Sequence, residues 1–209
     1  MTSIFLLSDP HFGHQNILGF TINESGTKLR PGFASIEEHD ELIVQNWNKV
    51  VRPQDHAYCL GDVVINKRHL PIIRRLNGHK RLVMGNHDIY PVEMYLEAGF
   101  EKVMAYRVLD GVIMSHVPIH EGSLGRFKLN IHGHLHAGLV MKGGVPDSRY
   151  VSVCVEQIDY TPVSFEEIKS KESAKSDKQP LSPVADTHAA NKAANHRMGC
   201  GDNVSYNRH

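Results

Sequence analysis

The sequence predicts an α/β domain, because short apolar runs alternate with segments of helical periodicity, a polar cluster follows each run, and turn residues separate the pieces. Four runs carry the prediction, at residues 4–7, 57–60, 81–84 and 112–114. They are short and, Arg81 apart, continuously apolar, as strands buried on both faces are. Between the first two, Ser35-Ile-Glu-Glu38 is a capping-box signature, and Ile36, Ile43, Trp47 and Val50 follow at roughly helical spacing. A connecting helix with Trp47 on its core face is therefore expected, and Cys59 reads as a small buried hydrophobe. Leu109-Asp-Gly-Val112 reads as a tight hairpin turn joining residues 103–108 to 112–115, a change from crossovers to antiparallel pairing. Residues 150–155 read as one more strand, and Ser164-Phe-Glu-Glu167 as a second capping box opening a final helix.

This organisation places the folded domain at residues 1–169. From 170 to 209 the chain is rich in Ser, Lys, Ala, Asn, Pro and Gly, with too few apolar residues to offset the entropy of ordering it, so a disordered low-complexity tail is expected. With 209 residues and 41% hydrophobic content, one substantial core can form. Lys and Arg number 23 and Asp and Glu 23, so net charge favours neither nucleic acid nor an anionic membrane. Three widely spaced cysteines suit neither a disulfide framework nor a C-x-x-C zinc site. The first residues lack a basic leader region, and no stretch approaches the ~20 apolar residues of a membrane span. A cytoplasmic protein is expected. There is no internal repeat and no G-x-G-x-x-G or Walker loop, so a backbone phosphate cradle for nucleotides has no support.

Histidine is the compositional oddity, at 15 residues, and imidazole is both the commonest metal ligand and the usual proton donor near neutral pH. Asp9-Pro-His11 follows the first strand, Gly61-Asp62 the second, Gly85-Asn86-His87-Asp88 the third and His116 the fourth, with Gly133-His134-Leu135-His136 as a fifth cluster. Ligand-type side chains just past strand ends can all be collected at the carboxyl edge of a sheet. Carboxylate oxygen, amide oxygen and imidazole nitrogen form a mixed set suited to first-row divalent ions, so Mn, Fe, Ni, Co and Zn are all admissible, with Mn favoured. A carboxylate such as Asp62 can offer an oxygen to each of two ions ~3.5 to 4 Å apart. The adjacent glycines suit tight turns beneath a metal.

The ordered set D-x-H, G-D, G-N-H-D, H and G-H-x-H resembles the calcineurin-like metallophosphoesterase superfamily over nearly all of residues 1–169. His11-Phe-Gly-His14-Gln-Asn-Ile17, Asn46-Trp-Asn48, Ser115-His-Val-Pro118 and Asp159-Tyr-Thr-Pro-Val-Ser164 further resemble a small bacterial and phage-borne subgroup. The resemblance implies a four-layer sandwich of two mixed sheets flanked by helices. It assigns Asp9, His11, Asp62 and His136 to one metal and Asp62, Asn86, His116 and His134 to the other, with Asp62 bridging. It makes His87 the group that protonates the leaving oxygen and Asp88 the group that holds the His87 imidazole in its productive tautomer. A hydroxide between the ions would then attack the phosphorus.

The expected reaction is hydrolysis of a small phosphodiester or phosphomonoester, a nucleotide or cyclic nucleotide among the candidates, with the diester favoured. Protein phosphatase activity is disfavoured, since Gly61-Asp62-Val-Val and Gly85-Asn86-His87-Asp88 depart from the Asp-Arg-Gly and G-N-H-E of that branch. His14, His120 and Arg126 are candidate substrate-binding residues, with His132, Lys128 and Arg149 weaker ones; a packing or surface role is the alternative for each. Two other readings compete: a non-catalytic scaffold, which should have lost ligands, and a nuclease on short single strands, which balanced charge and sparse aromatics in the tail disfavour.

Overall fold

In the computed structural model, which describes residues 2–24 and 26–176, the apolar runs are strands and their order follows the chain. Strand β1 (Ile4–Leu7), helix α1 (Ile36–Val50), β2 (His56–Cys59), β3 (His79–Val83), helix α2 (Val92–Ala98) and β4 (Lys102–Met104) come first. The four strands lie side by side and parallel in that order. Next come β5 (Arg107–Leu109), β6 (Val112–Ser115), the one-turn helix α3 (Glu121–Leu124), β7 (Leu129–His132), a small β8 (Met141–Lys142) and β9 (Val145–Pro146) hairpin, and β10 (Tyr150–Ser152). These build a second sheet in the order β10-β7-β6-β5, parallel except for β5. Strand β11 (Val163–Ser164) returns to the first sheet antiparallel to β1, and helix α4 (Phe165–Ser176) follows it directly.

Side-chain alternation explains why the strands read as continuous apolar runs. Leu7, Ala57, Cys59 and Leu82 face a core made with Ile43, Val44 and Trp47 of α1 and Tyr95 and Ala98 of α2. Leu6, Tyr58 and Val83 face the opposite way, onto Val112, Met114, Leu129 and Ile131 of the second sheet, with Phe165 and Ile168 of α4 joining them. The first sheet is thus buried on both faces, as parallel sheets are. This is an α/β architecture of mixed sheets flanked by helices. Three layers are evident; the outer helical layer of the expected sandwich is not evident among the described residues, where the only helix between β6 and β7 is the four-residue α3.

Helix α1 begins where the capping signature places it. Ser35 Oγ accepts the Glu38 N–H at 3.2 Å, while Glu38 Oε2 reaches back to the Ala34 N–H at 2.8 Å, one residue beyond the cap itself. The hairpin prediction requires a correction. Only Arg107–Leu109 pairs with β6, whereas Lys102–Met104 belongs to the first sheet beside β3. Both stretches alternate acceptably for either sheet, and only the long-range partner decides. The turn itself is as expected: Asp110 and Gly111 both take positive φ, 51° and 78°, and Leu109 faces Val112. The strand expected over 150–155 stops at Ser152, Cys154 bridges to Ser8, and Val155–Gln157 turns as a 3-10 helix. Helix α4 continues past the expected domain end at 169; the expectation for the rest of the tail, residues 177–209, falls outside the described residues. Among the described residues no helix is long and apolar enough to cross a membrane.

Candidate metal centre

Every predicted ligand follows the carboxyl end of a parallel strand: Asp9 and His11 after β1, Asp62 after β2, Asn86 after β3, His116 after β6, and His134 and His136 after β7. The loops are tied to one another. The Asp9 N–H donates to the Gly61 carbonyl at 3.0 Å and the His11 N–H to the Asp62 carbonyl at 3.1 Å. The Gly133 N–H donates to the His116 carbonyl at 2.9 Å, and the His134 N–H crosses between the sheets to Asp9 Oδ2 at 2.8 Å. Five of the seven predicted ligands adopt left-handed backbone: Asp9 (φ 58°), His11 (49°), Asp62 (54°), His134 (71°) and His136 (51°). Each such non-glycine residue costs on the order of 1 to 3 kcal/mol, and strain of this kind gathers at functional sites.

Gly61, beside Asp62, takes positive φ (97°) as a tight turn demands, but the glycines beside Asn86 and His134 have a different reason. Gly85 and Gly133 have ordinary φ, but a side-chain carbon at Gly85 would collide with the Asp62 carboxylate, and one at Gly133 with Ser8 Oγ and Asp9 Oδ2. Close approach, not backbone freedom, requires them.

Two groups of side chains could each hold a metal ion. Asp9, His11 and His136 form one and Asp62, His116 and His134 the other, with the ligating atoms of each group within 4.8 Å of one another. Asp62 Oδ2 lies 3.7 Å from His11 Nε2 and 3.4 Å from His116 Nε2, so the carboxylate reaches both groups. Asn86 Oδ1 is 3.0 Å from His116 Nε2, which brings the amide to the second group. The donor chemistry fits a cation. Among the described residues, Asp9 Oδ1 and both ring nitrogens of His11 are buried without a hydrogen-bond partner, an arrangement that is costly unless something electron-accepting completes it.

Other atoms set the imidazoles for that task. His116 Nδ1 donates to the Leu60 carbonyl at 2.7 Å and His136 Nδ1 to Glu156 Oε1 at 2.9 Å, which leaves each Nε2 as the nitrogen available to a metal. Burial, aided by the Arg30 charge, pushes His11 down to about 2, so this imidazole is neutral. Burial opposes charge on His116 and His136 too, but Asp62 outweighs it at the first and Glu156 at the second, and both pKa values are raised. Asp62 is pulled below the usual carboxylate range because His116 and the His87 N–H outweigh its burial.

His87 lies at the rim. Its side chain is 52% exposed, with Nε2 4.0 Å from Asp62 Oδ2, and its N–H donates to Asp62 Oδ1 at 2.9 Å. Asp88 does not hold the His87 imidazole, contrary to expectation. Its buried carboxylate accepts from the Asp62 N–H (2.8 Å), the Gly85 N–H (2.8 Å) and the Val63 N–H (3.0 Å), fastening the β2 and β3 loops together. The loop turns Asp88 inward while His87 points out, so one carboxylate cannot serve both.

Of the predicted substrate contacts, His14 is brought to the centre, its ring 5.8 Å from that of His11. His120 caps α3, its Nδ1 accepting the Gly122 N–H at 3.1 Å, and the Arg126 guanidinium lies 5.2 Å over the Phe127 ring. Among the described residues neither bonds to the two groups. Arg149 is engaged by Asp147 and Glu121, and His132 is buried against the Gly133 carbonyl.

Sequence reasoning missed Arg30, Glu156 and Cys154. Arg30 is buried and donates to Glu156 Oε1 at 2.8 Å, to the Asp9 carbonyl at 2.6 Å and to the Pro10 carbonyl at 3.0 Å. The Cys154 thiol donates to Asp9 Oδ2 at 3.2 Å. Glu156 and Cys154 follow β10, so the rule that found the ligands would have flagged them had the end of that strand been placed at Ser152. Nothing in the local sequence marks Arg30.

No family model matches the chain. It is 32% identical over 172 residues to the uncharacterized protein MJ1445 of Methanocaldococcus jannaschii, across 79% of this chain and 89% of that one. Its fold is similar to the crystal structure of a protein of unknown function, AQ665 from Aquifex aeolicus, with TM-score 0.57 and 27% identity over 82% of this chain and all of that one (100%). The nuclease MPE of Pseudomonas putida is similar at TM-score 0.43 and 19% identity, over 68% and 66% of the two chains, a likeness too slight to bear on fold or activity.

Proposed function

We propose that this chain, which belongs to the same family as the uncharacterized protein MJ1445 of Methanocaldococcus jannaschii, is a metal-dependent phosphoesterase of the calcineurin-like superfamily that hydrolyses a small phosphate ester. One observation carries the reading: two His/Asp groups meet at Asp62, at the carboxyl ends of parallel strands, with buried ligand atoms on Asp9 and His11 that have no hydrogen-bond partner among the described residues. Asp9, His11, Asp62 and His136 would hold one divalent ion, and Asp62, Asn86, His116 and His134 the other, with Mn²⁺ the favoured metal for this oxygen and nitrogen set. When bound, two such ions supply Lewis acidity toward phosphoryl oxygens and acidify water toward neutral pH.

The chain's own residues do the rest. Asp62, held by its backbone to Asp88, keeps both groups in register. His87 is the half-exposed imidazole nearest this carboxylate, and its Nε2 is the atom from which a proton would pass to the leaving oxygen. General-acid help of that kind is worth roughly 10² to 10⁴ in rate. Asp88 supports His87 indirectly, by fixing the loop from which the imidazole projects.

The test is hydrolysis of bis-p-nitrophenyl phosphate and p-nitrophenyl phosphate by metal-stripped protein before and after Mn²⁺ is restored. Turnover is expected only with metal, and His87→Ala should lower it by about 10² to 10⁴ while Asp62→Asn abolishes it. Two bound ions with no hydrolysis of either ester would overturn the proposal.

A further inference from the structure

Two open recesses flank the centre, and each ends on a different ligand group. The first, about 740 Å³, is lined by Phe20, Ile22, Leu29 and Leu135, with Thr21 among them, and reaches His136 of the Asp9 group. The second, about 440 Å³, is lined by Met84, Tyr106, Ile113 and Val117 and reaches Asn86 and His116 of the Asp62 group. Both have the size of small-molecule sites. Their walls present apolar surface to solvent where burial would be expected: Phe20 is 47% exposed, Ile22 50%, Tyr106 60% and Val117 50%. Phe20 is also tied to the centre, edge-to-face with His14 at 5.6 Å. Among the described residues lining the two recesses there is no lysine or arginine.

From this arrangement we infer that the ligand of the centre is a phosphodiester with two uncharged, apolar or aromatic ester arms, one seated in each recess. The inference rests on the phosphoesterase reading and narrows it. A phosphomonoester has one arm and would leave a recess empty. An arm carrying further phosphates would meet apolar walls with no counter-charge, whereas an aromatic ring gains from covering Phe20 or Tyr106. The anionic phosphate would sit between, where the ligand groups converge on Asp62.

The experiment is calorimetric titration of the Mn²⁺-loaded full chain with diphenyl phosphate and dimethyl phosphate, poor substrates that share a phosphodiester centre and differ only in their arms. Diphenyl phosphate is expected to bind at least about 10-fold more tightly, and Phe20→Ala and Tyr106→Ala each to reduce that margin about 3-fold without changing the number of bound ions. Equal affinities, or a margin untouched by both substitutions, would overturn the inference. Arm-dependent binding in a protein that hydrolyses neither nitrophenyl ester would uphold the recesses and bring down the catalytic reading alone.

Discussion

At Glu156 one carboxylate oxygen serves two masters, His136 Nδ1 at 2.9 Å and Arg30 Nε at 2.8 Å, and Arg30 extends that hold to the carbonyls of Asp9 and Pro10. The two residues therefore bond to the Asp9 group and, among the described residues, make no hydrogen bond to a side chain of the Asp62 group. Burial would raise the Glu156 pKa, but His136 and Arg30 outweigh it and keep the carboxylate charged. Glu156→Gln keeps the shape and removes the charge, and it is expected to weaken one Mn²⁺ site by about 10 to 100-fold while the other keeps its affinity, as read by competition with a chelator. Equal weakening of both sites would show that the residue acts through the fold. Arg30 and Glu156 are 126 positions apart, and no local pattern announces a pair closed by the whole fold. Asp88 was legible as a site residue but not in its direction, which the β3 loop decides.

Elements are held by a few polar anchors whose loss should be measurable. The Ser35 hydroxyl satisfies one of the open N–H groups at the start of α1, and Ser35→Ala should cost about 1 kcal/mol in urea unfolding. A larger effect belongs to Asp55, which is fully buried between α1 and β2. It accepts from the Ser3 N–H at 2.9 Å and from the Arg52 N–H and Nε at 3.0 Å each, so it joins the start of β1 to the turn before β2. These bonds, the Arg52 guanidinium first, hold its carboxyl well below the usual range. A carboxylate with a depressed folded pKa contributes stability that is complete above its unfolded value of about 3.9 and fades as pH falls through the folded one. Asp55→Asn should thus destabilise the protein at pH 7 by about 1.5 to 3 kcal/mol and make the loss of stability below pH 4 shallower than in the parent. The strands and α1 were legible because burial on both faces and a capping signature are local facts. The division of residues 103–109 between two sheets was not, since the alternation suits either partner.

For the molecule as a whole, the left-handed ligands, and the buried atoms of the centre that have no partner among the described residues, are costs that a bound cation would offset. Ligand linkage makes this testable: Mn²⁺ at 100 times its Kd adds about 2.7 kcal/mol per site, so a chelator should lower the midpoint of thermal unfolding and Mn²⁺ restore it. Mg²⁺, which favours all-oxygen octahedral sites, should restore less. The site was far more legible in the sequence than its surroundings, because topology alone carries side chains past parallel strand ends to one edge. His120 and Arg126, chosen for nearness in sequence to His116 and His134, are engaged elsewhere, and nearness along a loop is no measure of where it leads. The two apolar recesses, assembled from loops far apart in the chain, left no trace in composition or periodicity.

The most direct measurement is the number of Mn²⁺ ions bound per metal-stripped chain, by calorimetric titration of the parent, His136→Ala, His134→Ala and Asp62→Asn. Two equivalents are expected for the parent, selective loss of one high-affinity site in each histidine variant, and weakening of both in Asp62→Asn. One equivalent or none in the parent, or two undiminished in all three variants, would contradict a paired metal centre built on Asp62.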